Sequence, residues 1–114
     1  MKQRRDIFFA IADENRRAIL EVLARHGEAM PIGAIAGDFE ISRNGIAKHI
    51  LVLKESGLVR TEFIGRENYV SLEASRLAEV YQWISLFEEF WLVKLDKLKQ
   101  VIISDRQEQK HKKP

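Results

Sequence analysis

The sequence predicts a mainly helical domain with one small β-hairpin and a long helix after it. Three observations carry this. Apolar residues recur at threes and fours through most of the 114 residues, as on helices that bury one face. One stretch, Val59 to Leu72, alternates instead with period two around Gly65-Arg66. Prolines are confined to Pro31 and Pro114, and no repeat or Gly/Ser-rich linker divides the chain. One domain over 1–104 is therefore expected, followed by a basic tail, 105–114, too poor in large apolar side chains to order.

Each element has its own signal. A short apolar helix is expected from about Arg5 to Ile11. Asp13 then stands as an N-cap, with Glu14 suited to the positive end of the next helix. That helix carries Ile19, Leu20, Val22 and Leu23 as a stripe, with Arg16, Arg17, Glu21 and Arg25 on the other side, and Gly27 ends it. Met30-Pro31-Ile32 reads as a short extended link. A weaker helix follows from about Gly33 to Phe39, where two glycines lower the helix propensity. After a short turn containing Glu40-Ile41, Ser42 caps a helix that runs to about Ser56 and stops at Gly57. The hairpin has its tip near Gly65. Ser75 opens the final helix, expected to reach Ser104, with Leu77, Val80, Ile84, Phe87, Trp91, Leu95, Leu98 and Ile102 at threes and fours. Two short helices across a tight turn, followed at once by a hairpin, form a winged helix-turn-helix arrangement.

Composition excludes several functions. With no cysteine, disulfides, thiolate metal sites and cysteine nucleophiles are ruled out. No His/carboxylate pairing or Gly-rich phosphate loop suggests an enzyme, and no cofactor is implied. The longest apolar run, Ile7 to Ala12, falls far short of the roughly 20 residues that span a bilayer. The N-terminus makes a poor signal peptide, since Asp13 and Glu14 interrupt its apolar stretch, so a cytoplasmic location is expected. Net charge is +2, but it comes from the ends. Residues 1–5 hold three cations and no acid; residues 105–114 hold four cations against two acids. The 6–104 body then has twelve basic and fifteen acidic residues. Any nucleic-acid site has to be a local arrangement.

One such arrangement exists. At ~100° per residue, Ile46, Ile50 and Leu53 fall within about 60° of one another and form a buried face. Asn44, Lys48 and Glu55 point the opposite way, flanked by Arg43 and Ala47. No acid occurs between Ile41 and Glu55. Helices that enter the DNA major groove have this disposition, because Arg or Lys pairs with guanine edges and Asn with adenine. Ser42 adds a hydroxyl and free backbone N–H groups for a phosphate. Arg66 at the hairpin tip can reach a phosphate or the minor groove.

The residues also carry a family resemblance. Ala12-Asp13-Glu14-Asn15-Arg16-Arg17-Ala18-Ile19-Leu20 resembles A-D-P-T-R-x-x-I-L, the second-helix signature of the ArsR/SmtB family of bacterial transcriptional repressors. Ser42 to Ile50, with Leu53 and Gly57-Leu58-Val59, resembles the family's recognition helix, S-x-x-x-V-S-x-H-L-x-x-L-x-x-x-G-L-V. Gly65-Arg66 and Tyr69-Val70-Ser71-Leu72 are similar to its wing. The resemblance spans about residues 6–100. It implies a DNA-binding repressor that contacts its operator through Ser42, Arg43, Asn44, Ala47, Lys48 and Arg66. Ala47 stands where relatives place a DNA-contacting Ser, and Lys48 where many have His. His49 is expected as a hydrogen-bonded core residue. Metal-sensing relatives place Cys or Asp/His ligands on the third or last helix. Here the third helix offers only Asp38 and the last helix no His, so no metal site is expected.

The last helix is too apolar to be solvated on its outer side. Its excess, with the first helix, is assigned to a two-fold dimer interface of Ile7, Phe8, Ile11, Val80, Ile84, Phe87, Trp91 and Leu95, the helices that form the dimer in the family. Two recognition helices would then stand ~34–36 Å apart and read an inverted-repeat operator on double-stranded DNA. The aromatic residues of the last helix could instead line a ligand pocket, and an unknown small-molecule or protein inducer is a further possible partner. The competing function is a winged-helix module for protein docking with no DNA target.

Overall fold

The computed structural model describes residues 6–112, with side chains described through Arg106. Lys2, Arg4, Arg5 and the basic side chains of the tail after Arg106 lie outside the described residues. The order of elements is α1 (Ile7–Ile11), α2 (Glu14–His26), β1 (Met30–Pro31), α3 (Ile32–Ala36), α4 (Arg43–Glu55), β2 (Val59–Ile64), β3 (Glu67–Leu72), a 3₁₀ turn (Ala74–Leu77), α5 (Ala78–Ser85) and α6 (Glu88–Lys112). Between Val80 and Tyr81 the chain divides into two compact units.

In the first unit the caps follow local chemistry. The Asp6 carboxylate accepts from Phe8 N–H at 3.0 Å, and Asp13 from Arg16 N–H at 3.1 Å, so α1 and α2 each start on an Asx cap. Gly27 ends α2 at φ 81°. α3 stops at Ala36, short of the expected Phe39. The next N–H groups, of Asp38 and Phe39, turn back three residues to Ile35 and Ala36, so the α-helical spacing is lost around Gly37.

Met30-Pro31 is a strand as well as a link: Met30 pairs with Val70 and Pro31 with Tyr69, giving an antiparallel sheet of order β1-β3-β2. β2 and β3 pair from Val59↔Leu72 to Ile64↔Glu67, leaving a two-residue turn, Gly65-Arg66. Gly65 has φ 66°, the first-position glycine of a II′ hairpin turn. The core gathers one stripe from each element: Ile7 and Ala10, Ile19 and Leu23, Ile32 and Ile35, Ile46, Ile50 and Leu53, then Leu58, Val59 and Val70.

Arg16, which the sequence places opposite the apolar stripe of α2, is nonetheless largely buried. Its side chain is only 11% exposed. Its Nε donates to the Ala10 carbonyl at 2.7 Å and its Nη2 to the Phe9 carbonyl at 3.1 Å. The guanidinium also sits 5.2 Å from the centre of the Phe9 ring. The arginine fork satisfies the Ala10 carbonyl at the end of α1 and shares that of Phe9 with the Ala12 N–H.

Ile7 is a correction to the expected interface. At 2% exposure it belongs to the core and has no surface to give a partner. Ile11 and Val80 are half-buried and pack against the same core. Phe8 keeps an exposed edge.

Around and within the second unit, the expected single helix is broken between α5 and α6. The Ser85 hydroxyl donates to the Tyr81 carbonyl at 2.8 Å, and the N–H groups of Leu86 and Phe87 turn back three residues to Trp83 and Ile84. Serine back-bonding and tighter spacing of this kind bend or interrupt a helix. Ser75 lies inside the 3₁₀ turn and does not cap the helix. α6 runs past the expected end at Ser104 to Lys112, because Asp105 to Lys112 contains no Gly or Pro and is mostly made of good helix formers. Ile84, Phe87, Trp91 and Leu95 are all exposed, Trp91 by 52%. A groove of ≈500 Å³ on α6 is lined by Leu92, Leu95, Asp96, Leu98, Lys99 and Ile102, not by the tryptophans.

Candidate nucleic-acid interface

α4 is built to present its first turn. Ser42 Oγ accepts from Gly45 N–H at 3.0 Å, and its carbonyl takes Ile46 N–H at 2.9 Å. The far end closes in a Schellman pattern. Leu58 N–H bonds the Leu53 carbonyl at 2.9 Å and Gly57 N–H the Lys54 carbonyl at 3.0 Å, with Gly57 at φ 81°. A residue with a Cβ would be strained there. Leu58 is buried directly after this turn, which leads α4 into β2 and so fixes the wing relative to the helix.

Ile46, Ile50 and Leu53 are buried, anchoring α4 along one side. On the other side Ser42, Arg43, Asn44 and Lys48 are exposed and Ala47 is half-buried. The first turn holds no acid. Arg66 is exposed at the hairpin tip. Among the described residues, neither Lys48 nor Arg66 has an ion-pair partner. Arg43 has one: its Nη2 lies 3.7 Å from Oε2 of Glu67, the first residue of β3.

Two residues of this surface escaped the sequence reading. Leu51 is 53% exposed and continues the Asn44–Lys48 stripe three positions on; that spacing was its signal. Glu67 had none, since it meets Arg43 only through the register of the hairpin.

Behind the exposed face, His49 is half-buried, and its Nδ1 lies 3.4 Å from Arg16 Nη1. Guanidinium can only donate, so the imidazole nitrogen accepts. Asp13 stands beside the same arginine, 4.0 Å away. Burial works against ionisation of Asp13, but the hydrogen bond from the Arg16 backbone N–H and the Arg16 guanidinium beside it hold its carboxyl below the usual value. Among the described residues no three His, Asp or Glu side chains gather as a metal-ligand set, and no helix is long and apolar enough to cross a membrane.

Comparison with known proteins agrees with this architecture. A model for a helix-turn-helix domain family matches residues 11–62. The chain is 34% identical to the transcriptional repressor SdpR of Bacillus subtilis over 82 residues, 72% of this chain and 89% of that protein. It is also 34% identical to the HTH-type transcriptional regulator Rv2034 of Mycobacterium tuberculosis over 96 residues, 84% of this chain and 85% of that one. A crystallised ArsR family transcriptional regulator superposes with a TM-score of 0.66 at 33% identity, covering 75% of this chain and 86% of its own. With its winged helix-turn-helix and these relatives, the chain belongs to the ArsR family of DNA-binding transcriptional regulators.

Proposed function

We propose that this chain is a homodimeric, metal-independent repressor that acts in the cytoplasm on an inverted-repeat operator. One observation carries the reading. α4 is anchored through Ile46, Ile50 and Leu53 and turns an acid-free first turn outward, with Arg66 projecting from the wing. Arg43, Asn44 and Lys48 are the base-reading side chains. Ser42 and Arg66 hold phosphates, Ala47 allows close approach, and Leu51 can pack on a thymine methyl. Self-association is assigned to the exposed apolar side chains Phe8, Ile84, Phe87, Trp91 and Leu95. Repression is supported by the repressor named among the relatives. Release from DNA is assigned to a small molecule or a protein, because the chain lacks cysteine and its last helix carries a single histidine, His111.

The test is a salt series of fluorescence-anisotropy titrations on a selected operator. R43A and K48A should each weaken binding by about 1–3 kcal/mol per lost base contact, with sedimentation unchanged. Wild-type affinity in the R43A/K48A double variant would overturn the assignment.

A further inference from the structure

Arg43 opens the recognition helix, yet its charge is already engaged. Besides the 3.7 Å approach to Glu67, its Nη1 lies 3.6 Å from the position a Cβ would take at Gly33. The guanidinium therefore passes beside α3 at Gly33 on its way to β3, at ordinary contact distance from the place a Cβ would take. One side chain joins α3, α4 and the wing. Glu67 directly follows Arg66 at the hairpin tip, so the wing carries a cation and an acid side by side. The acid is aimed at the first cation of the reading helix.

We propose that Glu67 is a specificity-determining residue, restraining Arg43 until DNA offers it a better partner. This rests on the reading of α4 as the DNA-contacting helix. A phosphate backbone of any sequence attracts a guanidinium diffusely, and the Glu67 carboxylate competes with that attraction. A guanine edge binds the same fork at two points and wins the exchange. The restraint therefore weakens binding to the wrong sequence more than binding to the right one. Both partners are about half exposed, so the restraint is small and reversible.

The experiment compares wild type, E67Q, R43A and R43A/E67Q on a random-sequence duplex, by anisotropy across a salt series, with a selected operator alongside on which E67Q should gain less; an equal gain on both overturns the proposal. An exposed pair contributes little to folding, so unfolding curves of the four should coincide. E67Q should bind about two- to fivefold tighter than wild type. Its plot of log affinity against log salt should steepen by about 0.9, one additional phosphate. In the R43A background the same change should leave the slope where it was. An E67Q protein with wild-type affinity and slope overturns the proposal. So does a gain as large in R43A, which would make Glu67 only a repulsive charge. If the wild type binds no duplex at all, the DNA reading itself falls and the proposal with it, an outcome read before any variant is made.

Discussion

The two units handle apolar residues in opposite ways. In the first, Ile19, Ile35, Ile46, Leu53, Leu58 and Val70 are fully enclosed, because three-stranded sheet and four helices cover one another. In the second, Ile84, Leu86, Phe90, Trp91, Leu92, Val93 and Leu95 remain between 44% and 78% exposed. Leucine, isoleucine and aromatic side chains are no scarcer in the second, 12 among residues 81–114 against 21 among residues 1–80. Burial takes a second surface on the other side, and α6 has apolar side chains around most of its circumference at Phe90-Trp91-Leu92-Val93. A core that closes within one chain stabilises that chain; the apolar surface of the second unit is what the proposed self-association would cover.

That contrast can be broken by substitution, beginning with the largest effect. L53A removes a fully buried side chain from α4 and should destabilise the first unit by about 2–5 kcal/mol in urea unfolding. A loss under ~1 kcal/mol would mean the site collapses freely and the core is not closed. W91E, in the second unit, should leave the urea transition of the first unit in place while shifting the sedimentation equilibrium from dimer to monomer by at least about 2 kcal/mol. A W91E protein still dimeric at micromolar concentration would move the association surface elsewhere.

The smallest effect concerns pH. Asp13 has a folded pKa below the unfolded 3.8, so its ionised form stabilises the fold. That contribution is complete above the unfolded value and is lost as pH falls through the lower folded one. D13N should therefore flatten the acid limb of the stability profile below about pH 4, and an unchanged limb would assign acid lability to other carboxylates.

Much of this was legible in the residues because it is local. The Ser42 cap, the Gly57 stop, the Ile46–Ile50–Leu53 face and the hairpin tip each declare themselves within a few positions. What was missed depends on distance. β1 is two residues long, too short for any period, and exists only through its bonds to β3. The break at Leu86–Phe87 interrupts backbone bonding while the apolar spacing runs straight through it. Ile7 and Phe8 are alike in sequence, and only packing sends the first inward. The pairing of Arg43 with Glu67 spans two elements and a turn, and so is set by strand register.

Arg16 gives the molecule a rigid joint with a direction to it. One planar fork clasps the carbonyls of Phe9 and Ala10, rests on the Phe9 ring and reaches His49 on α4. One side chain thus connects α1, α2 and α4. Lysine could not take the position, since a single ammonium cannot span all of those partners at once. The linkage relies on the shape of guanidinium as much as on its charge.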